Sequence, residues 1–241
     1  MGVLLELVPA PGVWPDHLEL ARRHPRLRTE GRGRPHGGVP MDVRTFPTEP
    51  WDLAGHAVVA AGLTDATAVQ APPGTRPVTV GGRAVVALAF FVYEPPSPLT
   101  YREVMAATLV RRGLRPFVHI THIWVDSAAS RDGGRALWAI PKELADFEIA
   151  APRYAARGIA TTTVRRAARL AAMLPTRFTV AQRRDARTLT TPVRGRVRAS
   201  PVRSQWTIAP DGPLGHLAGF RPLVSVAIRS FRLRFGPAHR R

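Results

Sequence analysis

The residue that most invites chemistry is the single lysine. The chain has 35 basic residues, 34 of them arginine and one Lys142. Arginine serves wherever a solvated cation or an ion-pair partner is enough. It cannot serve as an amine nucleophile, because guanidinium does not lose its proton in a protein. Lys142 follows the run Ala136-Leu-Trp-Ala-Ile-Pro, and a lysine among apolar neighbours is a candidate Schiff-base amine. The same position also suits a lysine that extends its stem from a helix start toward water. As a nucleophile it has a strict requirement. With an ordinary pKa of about 10.4, only ~0.04% of a lysine is neutral at pH 7, and attack on a ketone needs the neutral form. Burial lowers a lysine by roughly 3–5 units; Leu137, Trp138 and Ile140 are expected to supply it, with Glu143 pointing elsewhere.

Other chemistry is scarce. There is no cysteine, which excludes disulfides, thiolate metal sites and cysteine nucleophiles and fits a cytoplasmic protein. The dinucleotide, P-loop, zinc-protease and serine-hydrolase signatures are missing. His119 and His122 lie three apart in a strand-like run, so they are expected on opposite faces and not as a metal pair.

The stretch Thr121 to Phe147 contains Gly133-Gly-Arg-Ala-Leu-Trp-Ala-Ile-Pro-Lys-Glu-Leu, and upstream stands Tyr101-Arg-Glu103. Together they resemble the acetoacetate decarboxylase family, with its Gly-Arg-Glu followed by Pro-Lys-Lys-Leu and its Tyr-x-Glu. The resemblance extends over about 50–236 and implies that Lys142 is the Schiff-base nucleophile and Glu103 its active-site carboxylate. Arg44 is the nearest candidate for the family's N-terminal substrate-binding arginine, and Trp138 a candidate substrate contact. Three positions depart from the pattern: Ala136 replaces the glutamate, Glu143 the second lysine, and an apolar residue near Leu88 a strand carboxylate. The implied protein is an acetoacetate decarboxylase-like lyase, needing neither metal nor organic cofactor, that acts on a small anionic keto acid and forms a homo-oligomer. Decarboxylation and aldol or dehydration chemistry both remain open.

These residues need a scaffold, and the pattern predicts one that is mainly antiparallel β with few helices (α+β). AVVALAFFVY (84–93) and FVHITHIWV (117–125) read as buried strands, while Tyr101 to Val110 is ambiguous between helix and strand. TPVRGRVRA (191–199) and FRLRF (231–235) alternate apolar residues with arginine, as a half-buried strand does. Pro141, with Glu143 and Asp146 behind it, suggests a helix starting near Ile140, preceded by a turn at Gly133-Gly134. The resemblance implies that the strands form a β-barrel or cone. Residues 1–41 read as an arm, Arg-, Gly- and Pro-rich over 21–40, with one short helix at Trp14–Leu20; the domain is expected to occupy 42–241.

Charge is unevenly placed. Residues 1–148 hold 16 basic and 15 acidic groups, a net of +1, whereas 149–241 hold 19 arginines against Asp185 and Asp211, a net of +17. Such a field attracts polyanions, so a nucleic-acid-binding domain is an alternative, as is a relative that keeps the pocket without turnover. The bland account is an Arg-rich codon pool decorating solvated faces. Phe231 and Phe235 lie opposite the arginines, whereas stacking platforms need both on one face, so no specific nucleic acid is expected. No apolar run reaches the ~18 residues of a membrane span, and Met1 to Leu7 makes a poor signal peptide.

Overall fold

The computed structural model describes residues 45–167 and 172–240. The arm at 1–41, the short helix read at Trp14–Leu20 and Arg44 lie outside these described residues. Within them the chain forms β1 (Trp51–Asp65), β2 (Arg76–Pro77), β3 (Thr79–Val80), β4 (Arg83–Tyr93), β5 (Tyr101–Arg112) and β6 (Arg115–Val125). One α-helix follows, α1 (Ala128–Trp138), then β7 (Lys142–Leu144), β8 (Phe147–Ala150), β9 (Arg153–Ala156) and β10 (Ala160–Ala167). The chain continues with β11 (Ala172–Arg184), β12 (Arg187–Ile208), β13 (Pro222–Phe235) and β14 (His239–Arg240).

Seven strands close into a ring. β4, β5 and β6 form an antiparallel meander; β1 joins β4 to β13, β13 pairs with β12, and β12 with β11. A single parallel bridge, Val180 to Val118, returns β11 to β6. The expected β-rich architecture is thus present, as a cone-like ring, and Tyr101–Arg112 is strand throughout. Alternation sends Trp51, Leu53, Tyr101, Ile123, Val193 and Phe231 inward to one core. The opposite face carries Val58, Leu88, Phe90, Val104 and Trp124 into a second core. That core is covered by Trp206, Ile208 and the 209–221 loop, while the far half of β12 continues as an outer layer with β10, β9 and β8.

The arginine strands divide as the period predicts. Val193, Val197 and Phe231 are buried in the ring, and Arg194, Arg196, Arg198, Arg232 and Arg234 are exposed outside it. Direct cross-strand partners there are like-charged: Arg194 faces Arg234 and Arg196 faces Arg232. Asp52 on β1 offsets part of this, 2.9 Å from Arg234.

The helix is elsewhere than expected. Ser127 caps α1 by accepting the Ser130 N–H, and Gly133 and Gly134 lie inside the helix instead of forming a turn. The end comes at Ala139, which adopts φ 54° and donates to Arg135 O, while Ile140 N–H donates to Gly134 O. Pro141 therefore stands just past a C-cap, where proline stops a helix, and not at a first helical position. Residues 142–144 are strand, running parallel to β6 with Lys142 opposite Ile123.

Candidate active site

Two small residues explain how α1 can lie where it does. A Cβ on Gly133 would stand 2.7 Å from the Trp51 ring, and one on Gly134 would stand 2.8 Å from Lys142 Cδ. The paired glycines let the helix close one end of the ring while the lysine stem passes against its backbone. Glycine costs helix about 1 kcal/mol each, which is why the pair reads as a turn from sequence alone.

Lys142 enters the ring interior from β7 and is 4% exposed; Glu103, from β5, is 3% exposed. Lys142 Nζ donates to Glu103 Oε2 at 2.8 Å, to Ser130 Oγ at 2.9 Å and to Tyr101 OH at 3.3 Å. Glu103 Oε1 accepts from Tyr93 OH at 3.0 Å, and the two tyrosine rings stack 4.2 Å apart. All three ammonium hydrogens thus have an acceptor. The remaining wall is apolar, with Trp51, Phe91, Ile120, Ile123 and Val193 among its residues, around a space of about 70 Å³. Trp138 belongs to this wall, but its indole N–H is spent on the Gly236 carbonyl at 2.9 Å, and its ring packs edge-on to Trp51.

The electrostatics differ from the expectation of a lowered lysine. Burial does push the Lys142 ammonium down, as reasoned for its apolar neighbours. The Glu103 carboxylate, Tyr101 and their hydrogen bonds outweigh it, so the amine sits above its ordinary value. The 2.8 Å contact is short enough for a proton to pass from Nζ to Glu103, which would leave a neutral amine. Burial raises Tyr93 well above its ordinary range, with Glu103 adding to it, and raises Tyr101 against the pull of Lys142. Glu143 faces away from the site as expected, exposed and 3.9 Å from Arg135.

Of the sequence candidates, the fold brings Lys142, Glu103 and Trp138 to one chamber, and Arg44 lies outside the described residues. Ser130 and Tyr93 were not singled out. Ser130 is found once Ser127 is recognised as a cap, which sets the helix phase. Tyr93 is found from the hairpin that pairs it with Tyr101. Leu88 is not the site-facing position of β4: it is buried in the outer core, and Phe91 stands opposite Glu103.

The histidine expectation also needs correction. Ala106 pairs with His122 and Ala107 with Ile120, leaving Thr121 as a bulge on β6. The extra residue resets the alternation, so Ile120 and Ile123 both face the lysine while His119 and His122 share the other side. There they line a cavity of about 330 Å³ with His216. Burial pushes all three imidazoles down. Among the described residues no group of three or more His, Asp or Glu is placed to hold a metal ion, and no helix is long and apolar enough to cross a membrane.

The sequence profile described as acetoacetate decarboxylase matches residues 39–228. Among solved structures, an acetoacetate decarboxylase from Legionella pneumophila subsp. pneumophila str. Philadelphia 1 superposes with a TM-score of 0.62 at 16% identity, covering 83% of this chain and 91% of its own. An acetoacetate decarboxylase-like enzyme from Sphingomonas wittichii RW1 gives 0.58 at 17% identity, with 82% and 94% covered. The enduracididine biosynthesis enzyme MppR, complexed with the condensation product of pyruvate and imidazole 4-carboxaldehyde, gives 0.56 at 17%, with 88% and 98% covered. At these identities the likeness is one of fold. No curated protein sequence matches the chain.

Proposed function

Because the chain belongs to the acetoacetate decarboxylase family, we propose that it is a cofactor-independent lyase that holds a β-keto acid or other small oxo acid as a Schiff base on Lys142. The observation that carries this reading is the buried Lys142–Glu103 pair, 2.8 Å apart, bonded to Ser130, Tyr101 and Tyr93 within apolar walls. As substrate enters, Lys142 passes a proton to Glu103, and the freed Nζ lone pair attacks the keto carbon. The oxygen of the adduct takes that proton back from Glu103 and a second one from the nitrogen, relayed by the same carboxylate, and leaves as water, so that an iminium remains. For a β-keto acid the bond to the carboxylate carbon breaks, its electron pair runs into the enamine, and CO2 departs. The enamine carbon takes up a proton, and water releases the ketone and the free amine. Glu103 serves as the proton shuttle, while Ser130 and Tyr101 hold Nζ in line.

The same enamine would add to an aldehyde, so aldol chemistry uses the same residues; the MppR neighbour, with its bound condensation product, favours keeping it as a second reading. The fully buried, fully bonded lysine speaks against a site retained without turnover, and the phenylalanines turned inward from the arginine face speak against a nucleic-acid platform. A homo-oligomer is part of the proposal, testable by light scattering. The functional test is to offer a panel of β-keto acids and measure CO2 release, and 2-oxo acids with aldehydes and measure condensation. Turnover in either arm, abolished by borohydride only when substrate is present, supports the proposal. No consumption of any member overturns it.

A further inference from the structure

The space around Lys142 is one end of a longer passage. The about 70 Å³ around Nζ is roughly two waters' share of liquid volume, enough for a keto group and its nearest atoms. Val118 and Phe178 line this chamber and also a second one, of about 470 Å³. The second chamber lies further along the same ring interior, walled by Val59, Val85, Ala87 and Leu109, with Thr176 its polar side chain. Its size falls in the usual range for a ligand pocket, about 300–1,000 Å³; the inner one does not.

Depth and lining decide what this space suits. From Glu103 to Leu109 is six residues of β5, roughly 20 Å along the strand at ~3.3 Å per residue, and a strand tilt of about 35–45° leaves some 15 Å along the axis. A four-carbon acid bound at Lys142 would reach none of it. An entrance meant only for a small anion gains nothing from a long aliphatic wall. Phe178, though on the interior face of β11, is 37% exposed: an aromatic ring in an open apolar chamber is surface that a ligand would cover.

We propose that the substrate of the Lys142 site carries an apolar tail, an alkyl chain or aryl group on the far side of its keto carbon, which passes between Val118 and Phe178 and fills the outer chamber. This rests on the Schiff-base reading of Lys142 and narrows it: the substrate class is a medium-chain or aryl β-keto acid. Val118 and Phe178 form the neck that sets which tails pass.

The test uses the full chain and two linear series, from 3-oxobutanoate to 3-oxodecanoate as probes of turnover and from acetone to 2-nonanone as product-like ligands with no carboxylate to lose. Specificity (kcat/KM) and ligand affinity should rise by roughly two- to fourfold per methylene until the chamber is filled, since each buried methylene contributes about that factor. Ala87→Trp, on the wall of the outer chamber, should collapse the ratio of 3-oxooctanoate to 3-oxobutanoate specificity, and so should Ala61→Trp from the neighbouring strand. A flat wild-type series in both probes overturns the tail, whatever the variants do, and leaves the Lys142 chemistry standing. No reaction with any acid of the series overturns a β-keto acid as the substrate and leaves the aldol arm of the Schiff-base reading to its own test; the ketone affinities then still judge the chamber, a chain-length rise upholding an apolar ligand site and a flat series ending it.

Discussion

Lys142 Nζ and Glu103 Oε2 stand 2.8 Å apart with both residues almost fully removed from water. Moving two charges out of water is costly, and their attraction repays the cost only when the remaining donors and acceptors are satisfied. Here Ser130, Tyr101 and Tyr93 satisfy them. The pair is held ready: a proton transfer between its members converts an ammonium and a carboxylate into a neutral amine and an acid without moving a heavy atom.

Glu103→Gln removes the charge and keeps the shape. With the strongest opponent of burial gone and Tyr101 left, the Lys142 amine should fall from its raised wild-type value. Turnover should drop by about 10²–10⁴-fold, the usual contribution of a positioned proton shuttle. Kinetics, together with an NMR titration of the single lysine, check both; an unchanged rate would remove Glu103 from the chemistry.

The alkaline limb of stability should report on the site. The chain has one lysine and three tyrosines, and Lys142, Tyr93, Tyr101 and Tyr154 all sit above their ordinary values. For each, the folded protein keeps its proton after the unfolded chain has lost it. Their stabilising contribution is therefore complete below pH ~10 and is lost as pH rises through the folded values, at up to about 1.4 kcal/mol per pH unit for each proton. Denaturant unfolding between pH 8 and 11.5 measures the slope. Tyr93→Phe should make it shallower by about one proton.

Gly134→Ala reverses the usual expectation for a helix. Alanine is favoured over glycine by about 1 kcal/mol in a helix interior, yet here its Cβ would sit 2.8 Å from Lys142 Cδ. The lysine stem cannot yield without breaking its three bonds, so overpacking, about 1–3 kcal/mol, should decide the sign. We expect lower thermal stability and a large loss of turnover.

The arginine face should bind DNA weakly. Retention on duplex DNA at low salt should fall by ~0.9 log units per log unit of salt for each phosphate neutralised and vanish near physiological salt. Gel shifts across a salt series test this; sequence-preferring binding that survives would contradict an enzyme with a merely solvated basic face.

Much of this architecture was legible because it follows from period two. The inward Val193, Val197 and Phe231 and the outward arginines were assigned by alternation alone, and Glu103 and Lys142 by motif. The errors have physical causes. The Gly133-Gly134 pair looks like a turn until the Trp51 ring and the Lys142 stem are known to need that space. The histidines changed faces because a bulge at Thr121 leaves no local trace. The lysine's raised affinity for its proton came from a partner 39 positions away, whereas the sequence shows only the apolar neighbours that push it down.

The most direct test of the account is to reduce the protein with borohydride in the presence of 3-oxohexanoate and map the modified peptides by mass spectrometry. The account predicts one covalent adduct, on the peptide containing Lys142, and none in Lys142→Arg, which keeps the charge but has no amine to offer. An adduct that forms without Lys142, or a turning-over wild type that is never labelled there, would contradict it.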